Sequence, residues 1–88
     1  MPDLWKYPIE LVNALHGFGL APRETTDPIF VRDALNDLYR YELRGLRDRY
    51  MTREFEKVDF HRLVVAMRKK YWPLSLLPDA WRRICSNS

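Results

Sequence analysis

The chain is poor in the residues from which most catalytic and metal sites are built. Its 88 residues include one cysteine, two histidines and three glycines. One cysteine excludes an intramolecular disulfide and predicts a reducing, cytoplasmic setting. His16 and His61 lie far apart in sequence and lack cysteine companions, so no metal-ligand spacing exists. Three glycines leave no phosphate-cradling loop, and Gly17-Phe18-Gly19 lacks the preceding strand such a loop needs. Long apolar runs are also missing. The longest uncharged stretch, 11–22, is broken by Asn13, His16 and two glycines, so no membrane span is expected. Met1 to Lys6 has neither the basic start nor the apolar run of a secretory signal, and Asp3 argues against a transit peptide. Charge of a single sign is lacking too: fifteen Lys and Arg face twelve Asp and Glu, a net +3. These shortages exclude a multidomain enzyme, a disulfide scaffold and a polytopic membrane protein.

Aromatic residues, by contrast, are plentiful: three Trp, five Tyr and four Phe. They supply the large side chains that a domain this short needs to offset its ordering entropy. Apolar spacing then predicts an all-α single domain of three or four helices, compact, over 8–18, 28–50, 59–71 and 78–85. In the first, Ile9, Leu11, Val12, Leu15 and Phe18 form one face, and Gly17 and Gly19 stop the helix, one of them left-handed. A polar connector follows over 20–26. Asp27-Pro28 is the clearest start signal, a capping carboxylate before a proline suited to the first helical position. The helix it opens carries two stripes, Val31/Ala34/Leu35/Leu38/Tyr41 and Tyr39/Leu43/Leu46/Tyr50, which makes it the central one. Gly45 in its second half predicts a close helix–helix contact, with a kink as the alternative. Asp59 is the expected cap of the third helix, whose inner face is Phe60, Leu63, Val64, Met67 and Tyr71. Trp72-Pro73 ends it. In the last helix Leu77, Ala80, Trp81 and Ile84 are expected to face inward, and 86–88 to fray.

Two surfaces are candidate sites. Trp5 and Tyr7 near one end, and Trp72, Leu74 and Leu76 in a proline-flanked segment near the other, either cover the bundle ends or form an apolar patch for a partner. Charge is unevenly distributed: the first 44 residues are net −2 and the last 44 net +5. Arg40, Arg44 and Arg47 recur at spacings of four and three along one helix face, and Arg68, Lys69 and Lys70 add basic density beside Tyr71 and Trp72. Cations interleaved with aromatics are what phosphates and unstacked bases require.

Catalytic constellations are absent from the pattern. Glu54 and Glu56 diverge on a helix, and Cys85 sits near a helix C-terminus, where the dipole opposes a thiolate. Cys85 therefore reads as a structural thiol. A Cys85–His61 nucleophile pair is the remote enzymatic alternative.

Leu38-Tyr39-Arg40 opens Leu-Tyr-Arg-Tyr-Glu-Leu-Arg, followed by Arg53-Glu54-Phe55. This resembles the signature of LYR-type mitochondrial accessory proteins, which are also small, basic and helical. The resemblance implies an assembly factor for iron–sulfur delivery or respiratory complexes that docks an acylated carrier protein. It covers about twenty residues. It departs from the family in one respect: there the tripeptide opens the first helix, whereas here a whole helix precedes it.

The residues thus predict a non-catalytic accessory or adaptor protein without cofactor, metal or small-molecule substrate. Its expected partner is another protein or a second copy of the chain. Nucleic-acid binding through the basic stripe is the alternative.

Overall fold

The computed structural model describes residues 4–86. These form four α-helices, α1 (Ile9–Gly17), α2 (Pro28–Met51), α3 (Lys57–Lys70) and α4 (Pro78–Ile84), with a 3-10 turn, Trp72–Ser75, between the last two. The all-α architecture and the central long helix follow the sequence expectation. Asp27 caps α2 by accepting the Ile29 N–H on Oδ1 at 2.8 Å, and Pro28 occupies the first turn. Asp27 Oδ2 also receives the Arg82 guanidinium at 3.4 Å, which ties the start of α2 to α4.

One core gathers Leu11, Leu15, Val31, Leu35, Tyr71, Trp81 and Cys85, drawn from α1, α2, α4 and the segment after α3. Trp81 is fully buried and satisfies its indole N–H on the Pro73 carbonyl at 2.9 Å. Tyr71 stacks on Phe18 at 4.3 Å and meets the edge of Tyr39 at 5.2 Å. The residues before α1 are stitched down by backbone bonds, Trp5 N–H to Glu24 at 2.7 Å and Lys6 N–H to Cys85 at 2.8 Å.

This core lies toward one end of an elongated molecule. Helix α2, with 24 residues, is about 36 Å long at the α-helical rise. Its second half has only α3 beside it. There Leu46 is buried, and Tyr50, Phe55 and Phe60 stack with centroids 4.5 to 6.3 Å apart. The described chain measures 53 × 20 × 15 Å with a radius of gyration of 15.5 Å. A globular chain of this length has about 12 Å. The excess comes from this projecting α2–α3 hairpin.

Several local expectations are corrected. Helix α3 starts at Lys57, with Glu56 rather than Asp59 at the cap position, and Asp59 sits in the first turn. Asp59 there still complements the helix dipole, so its charge serves without a capping bond. Ile9, Tyr41, Leu63, Leu77 and Ile84 are exposed. The helices beside them are too short or too few to cover a full stripe. Gly45 makes no close helix contact, because a Cβ built there would meet nothing within 4 Å. Helix α2 also continues through it unbroken. Ser86 is not frayed but forms an antiparallel bridge with Trp5. The rest of the expected frayed tail, 87–88, lies outside the described residues.

Candidate functional site

The five apolar candidates separate once folded. Trp5, Tyr7, Leu74 and Leu76 are partly buried and pack against the core. Tyr7 donates its hydroxyl to the Thr26 carbonyl at 2.6 Å, which fixes the first segment over the connector before α2. Trp72 alone of the five is exposed, at 41%. Four of the five therefore cover the bundle, and the two apolar ends do not merge into one open patch.

The basic candidates behave differently. Arg40, Arg44, Arg47, Arg68, Lys69 and Lys70 are all exposed. Lys70 is engaged: its ammonium lies 3.3 Å from the Glu42 carboxylate and over the rings of Phe18 and Tyr71 at 5.4 and 5.6 Å. The other five make no ion pair among the described residues.

Two concavities flank the hairpin. An open groove of about 590 Å³ runs along the second half of α2 and reaches α3 at Met67. Tyr41, Gly45 and Leu46 line it, with Arg44 and Arg49 among its polar groups. Glu42 belongs to its wall, so the Glu42–Lys70 pair stands where the groove meets the end of α1. Gly45 leaves the wall without a side chain. A second concavity of about 350 Å³ is lined by Asn36, Tyr39, Arg68, Tyr71, Leu74 and Ser75.

The groove was not among the sequence candidates. Its signal was Gly45 itself: a glycine inside a long helix costs about 1 kcal/mol relative to alanine and leaves that point of the helix without a side chain. The contact read for it within the chain is instead an open wall. Exposed apolar residues on α2 were missed for a related reason. Phe30, Tyr41 and Met51 are 71%, 76% and 75% exposed, although apolar spacing assigned Tyr41 to the core.

The groups suited to chemistry are dispersed. Cys85 is buried in the core, and burial pushes its thiol up to about 11. Such a thiol is protonated at neutral pH and has little nucleophilic character. His16 and His61 are exposed and outside that cluster. The Tyr7 and Tyr71 hydroxyls are both raised, chiefly by burial; Cys85 and Asp27 add to it at Tyr7, and the Glu42 carboxylate at Tyr71. Among the described residues no group of three or more His, Cys, Asp or Glu could hold a metal ion. No helix there is long and apolar enough to cross a membrane.

The Leu-Tyr-Arg tripeptide lies inside α2. Leu38 and Tyr39 pack against the core and Arg40 points outward, so packing accounts for two of its three residues. No family model matches the chain, and neither a curated protein nor a solved structure does.

Proposed function

We propose that the protein is a non-catalytic adaptor that receives an amphipathic helix of another protein in the groove beside Gly45. The observation that carries this reading is the mismatch in helix length. Helix α1 stops at Gly17, while the α2–α3 hairpin runs on without a third helix to cover it. Leu46, Met67 and Tyr41 offer the apolar anchors there, and Gly45 permits close backbone approach. Arg44 and Asp48 at the groove, neither in an ion pair among the described residues, offer one charge of each sign to polar residues of the incoming helix. The inert, buried thiol of Cys85 suits a reducing, cytoplasmic setting.

Gly45→Glu tests the reading, since the new side chain enters the groove without touching the fold. Tagged protein is used to capture partners from host lysate, with and without nuclease. One dominant protein that survives nuclease and is lost with Gly45→Glu supports the adaptor. Capture that Gly45→Glu leaves unchanged, or that nuclease abolishes, overturns it.

A second reading rests on five exposed cations that make no ion pair among the described residues, Arg40, Arg44, Arg47, Arg68 and Lys69. Nucleic-acid binding through them would weaken steeply with salt, by roughly one power of salt concentration per phosphate neutralised. Fluorescence anisotropy on a single-stranded oligonucleotide over a salt series decides it. Absence of binding at low salt removes this reading.

A further inference from the structure

We propose that the outer side of α2 is a self-association surface on which a second copy of the chain packs antiparallel, about a two-fold axis beside Arg40 and Tyr41. This goes beyond the adaptor groove, whose edge it shares at Tyr41, Arg44 and Asp48, and extends past it to Phe30 and Met51. Phe30, Ala34, Asp37, Tyr41, Arg44, Asp48 and Met51 recur at alternating spacings of four and three, the seam spacing of paired helices. At 100° per residue this seam falls opposite the side where Leu46, Tyr39 and Tyr50 turn toward α3. Phe30, Tyr41 and Met51 are its apolar members, and each is more than 70% exposed.

Charge identifies the occupant. The first half of this surface carries Asp33 and Asp37. The second half carries Arg40, Arg44 and Arg47 with a single acid, Asp48. All six are exposed, and none makes an ion pair or side-chain hydrogen bond among the described residues of the monomer. The neighbouring charges that point elsewhere are already satisfied: Arg32 by the Leu76 carbonyl, Glu42 by Lys70 and Arg49 by Glu54. A surface acidic at one end and basic at the other is complementary to itself reversed. An antiparallel copy sets Asp37 level with Arg44 of the second copy and Phe30 level with Met51. Asp33 comes level with Asp48 of the second copy and within one residue of level with Arg47, so the attraction rests on Asp37–Arg44 and the flanking Asp33–Arg47 pair. Each of these pairs has its midpoint at or next to Arg40, so one two-fold axis serves all three. A parallel copy would set like charges against like. Tyr41, beside the axis, lies level with Arg40 of the second copy, an arrangement that suits a cation over an aromatic ring. About 33 Å of helix is paired at the α-helical rise.

Sedimentation velocity over a concentration series is the test, with 10.6 kDa for one chain. The wild-type protein is expected to approach twice that mass, less so at high salt. Asp33→Arg with Asp37→Arg leaves Asp48 as the one acid on the surface, and Arg44→Asp with Arg47→Asp leaves Arg40 as its one base. Each double variant alone should raise the dimer dissociation constant by about 100-fold or more, because like charges then face each other. An equimolar mixture of the two should recover the dimer. Circular dichroism should be unchanged, the four sites being exposed. Tyr41→Arg, a single change beside the axis, should also yield monomers. A wild-type protein that stays monomeric to millimolar concentration overturns the proposal. So does a double variant that dimerises like wild type, or a mixture that remains monomeric. Asp33 and Asp37 lie outside the adaptor groove, so loss of the dimer in their double variant with the Gly45-dependent capture intact, or the reverse, separates the two readings.

Discussion

Where α1 ends, the Leu20 N–H bonds the Leu15 carbonyl at 2.9 Å and the Gly19 N–H bonds that of His16 at 3.0 Å. Where α2 ends, the Glu54 N–H bonds Arg49 at 3.1 Å and the Arg53 N–H bonds Tyr50 at 2.9 Å. The backbone closure is the same, and it requires a left-handed residue just past the helix. At α1 that residue is Gly19, with φ 80°; at α2 it is Arg53, with φ 63°. The side chains that back the closure differ more. Leu15 is fully buried and Leu20 packs on the same core. In their places at α2 stand Arg49 and Glu54, an exposed ion pair at 2.6 Å. Burial of a leucine contributes about 1.5–3 kcal/mol. An exposed ion pair contributes about 1 kcal/mol at most. Stability is therefore graded along the long axis, and the end that carries the candidate surfaces is the less firmly held.

Breaking the firm end should have the largest effect. Trp81→Ala removes a fully buried side chain and its indole bond to the Pro73 carbonyl, and should cost about 3–5 kcal/mol in urea denaturation. Phe60→Ala in the aromatic stack should cost less and act locally, speeding amide exchange at the α2–α3 turn before it reaches the core. Equal losses for the two would erase the gradient.

Alkali should attack the same firm end. Burial raises the Cys85 thiol from 9.0 to about 11, and the Tyr7 and Tyr71 hydroxyls move in the same direction. A raised value means that the native state holds its proton more tightly than the unfolded chain. The stability this provides is whole below the unfolded value near 9 and is lost as pH climbs through about 11. Melting temperature should thus fall above pH 9, and less steeply in Cys85→Ala. Identical slopes would show that the thiol is not held in the core.

The gradient also decides what could be read from sequence. The Asp27-Pro28 start, the Gly19 stop and the Leu11/Leu15/Val31/Leu35 faces are local or periodic signals, and the firm end is made of them. The far end depends on what is missing, since a third helix there would have buried Tyr41 and filled the space beside Gly45. Periodicity marks Tyr41 as apolar but cannot say that nothing packs on it. The same holds for Trp5, Tyr7, Leu74 and Leu76. Aromatic density left cover and patch both open, and backbone bonds to Glu24 and Cys85 draw the first segment onto the core. Arg40, Arg44 and Arg47 were legible as exposed, because a charge stripe on a helix needs only the helix. Asp33 and Asp37 carry no such signal, because the lack of an ion-pair partner for them among the described residues is a property of the fold.

The smallest effects sharpen the comparison most, because they exchange the residues on which the two helix ends differ. Gly19→Ala places a Cβ in the left-handed region and should cost about 1–2 kcal/mol. Arg53→Gly does the reverse. It relieves a left-handed arginine at the price of a looser unfolded chain, for a net gain of about 0.5 kcal/mol. Its Arg49–Glu54 backing should then weaken with added salt, while the Leu15–Leu20 backing does not. Denaturation of both variants at low and high salt reads all of this. If Arg53→Gly destabilises, the Arg53 side chain itself supports the turn, and the far end is held by more than its one ion pair.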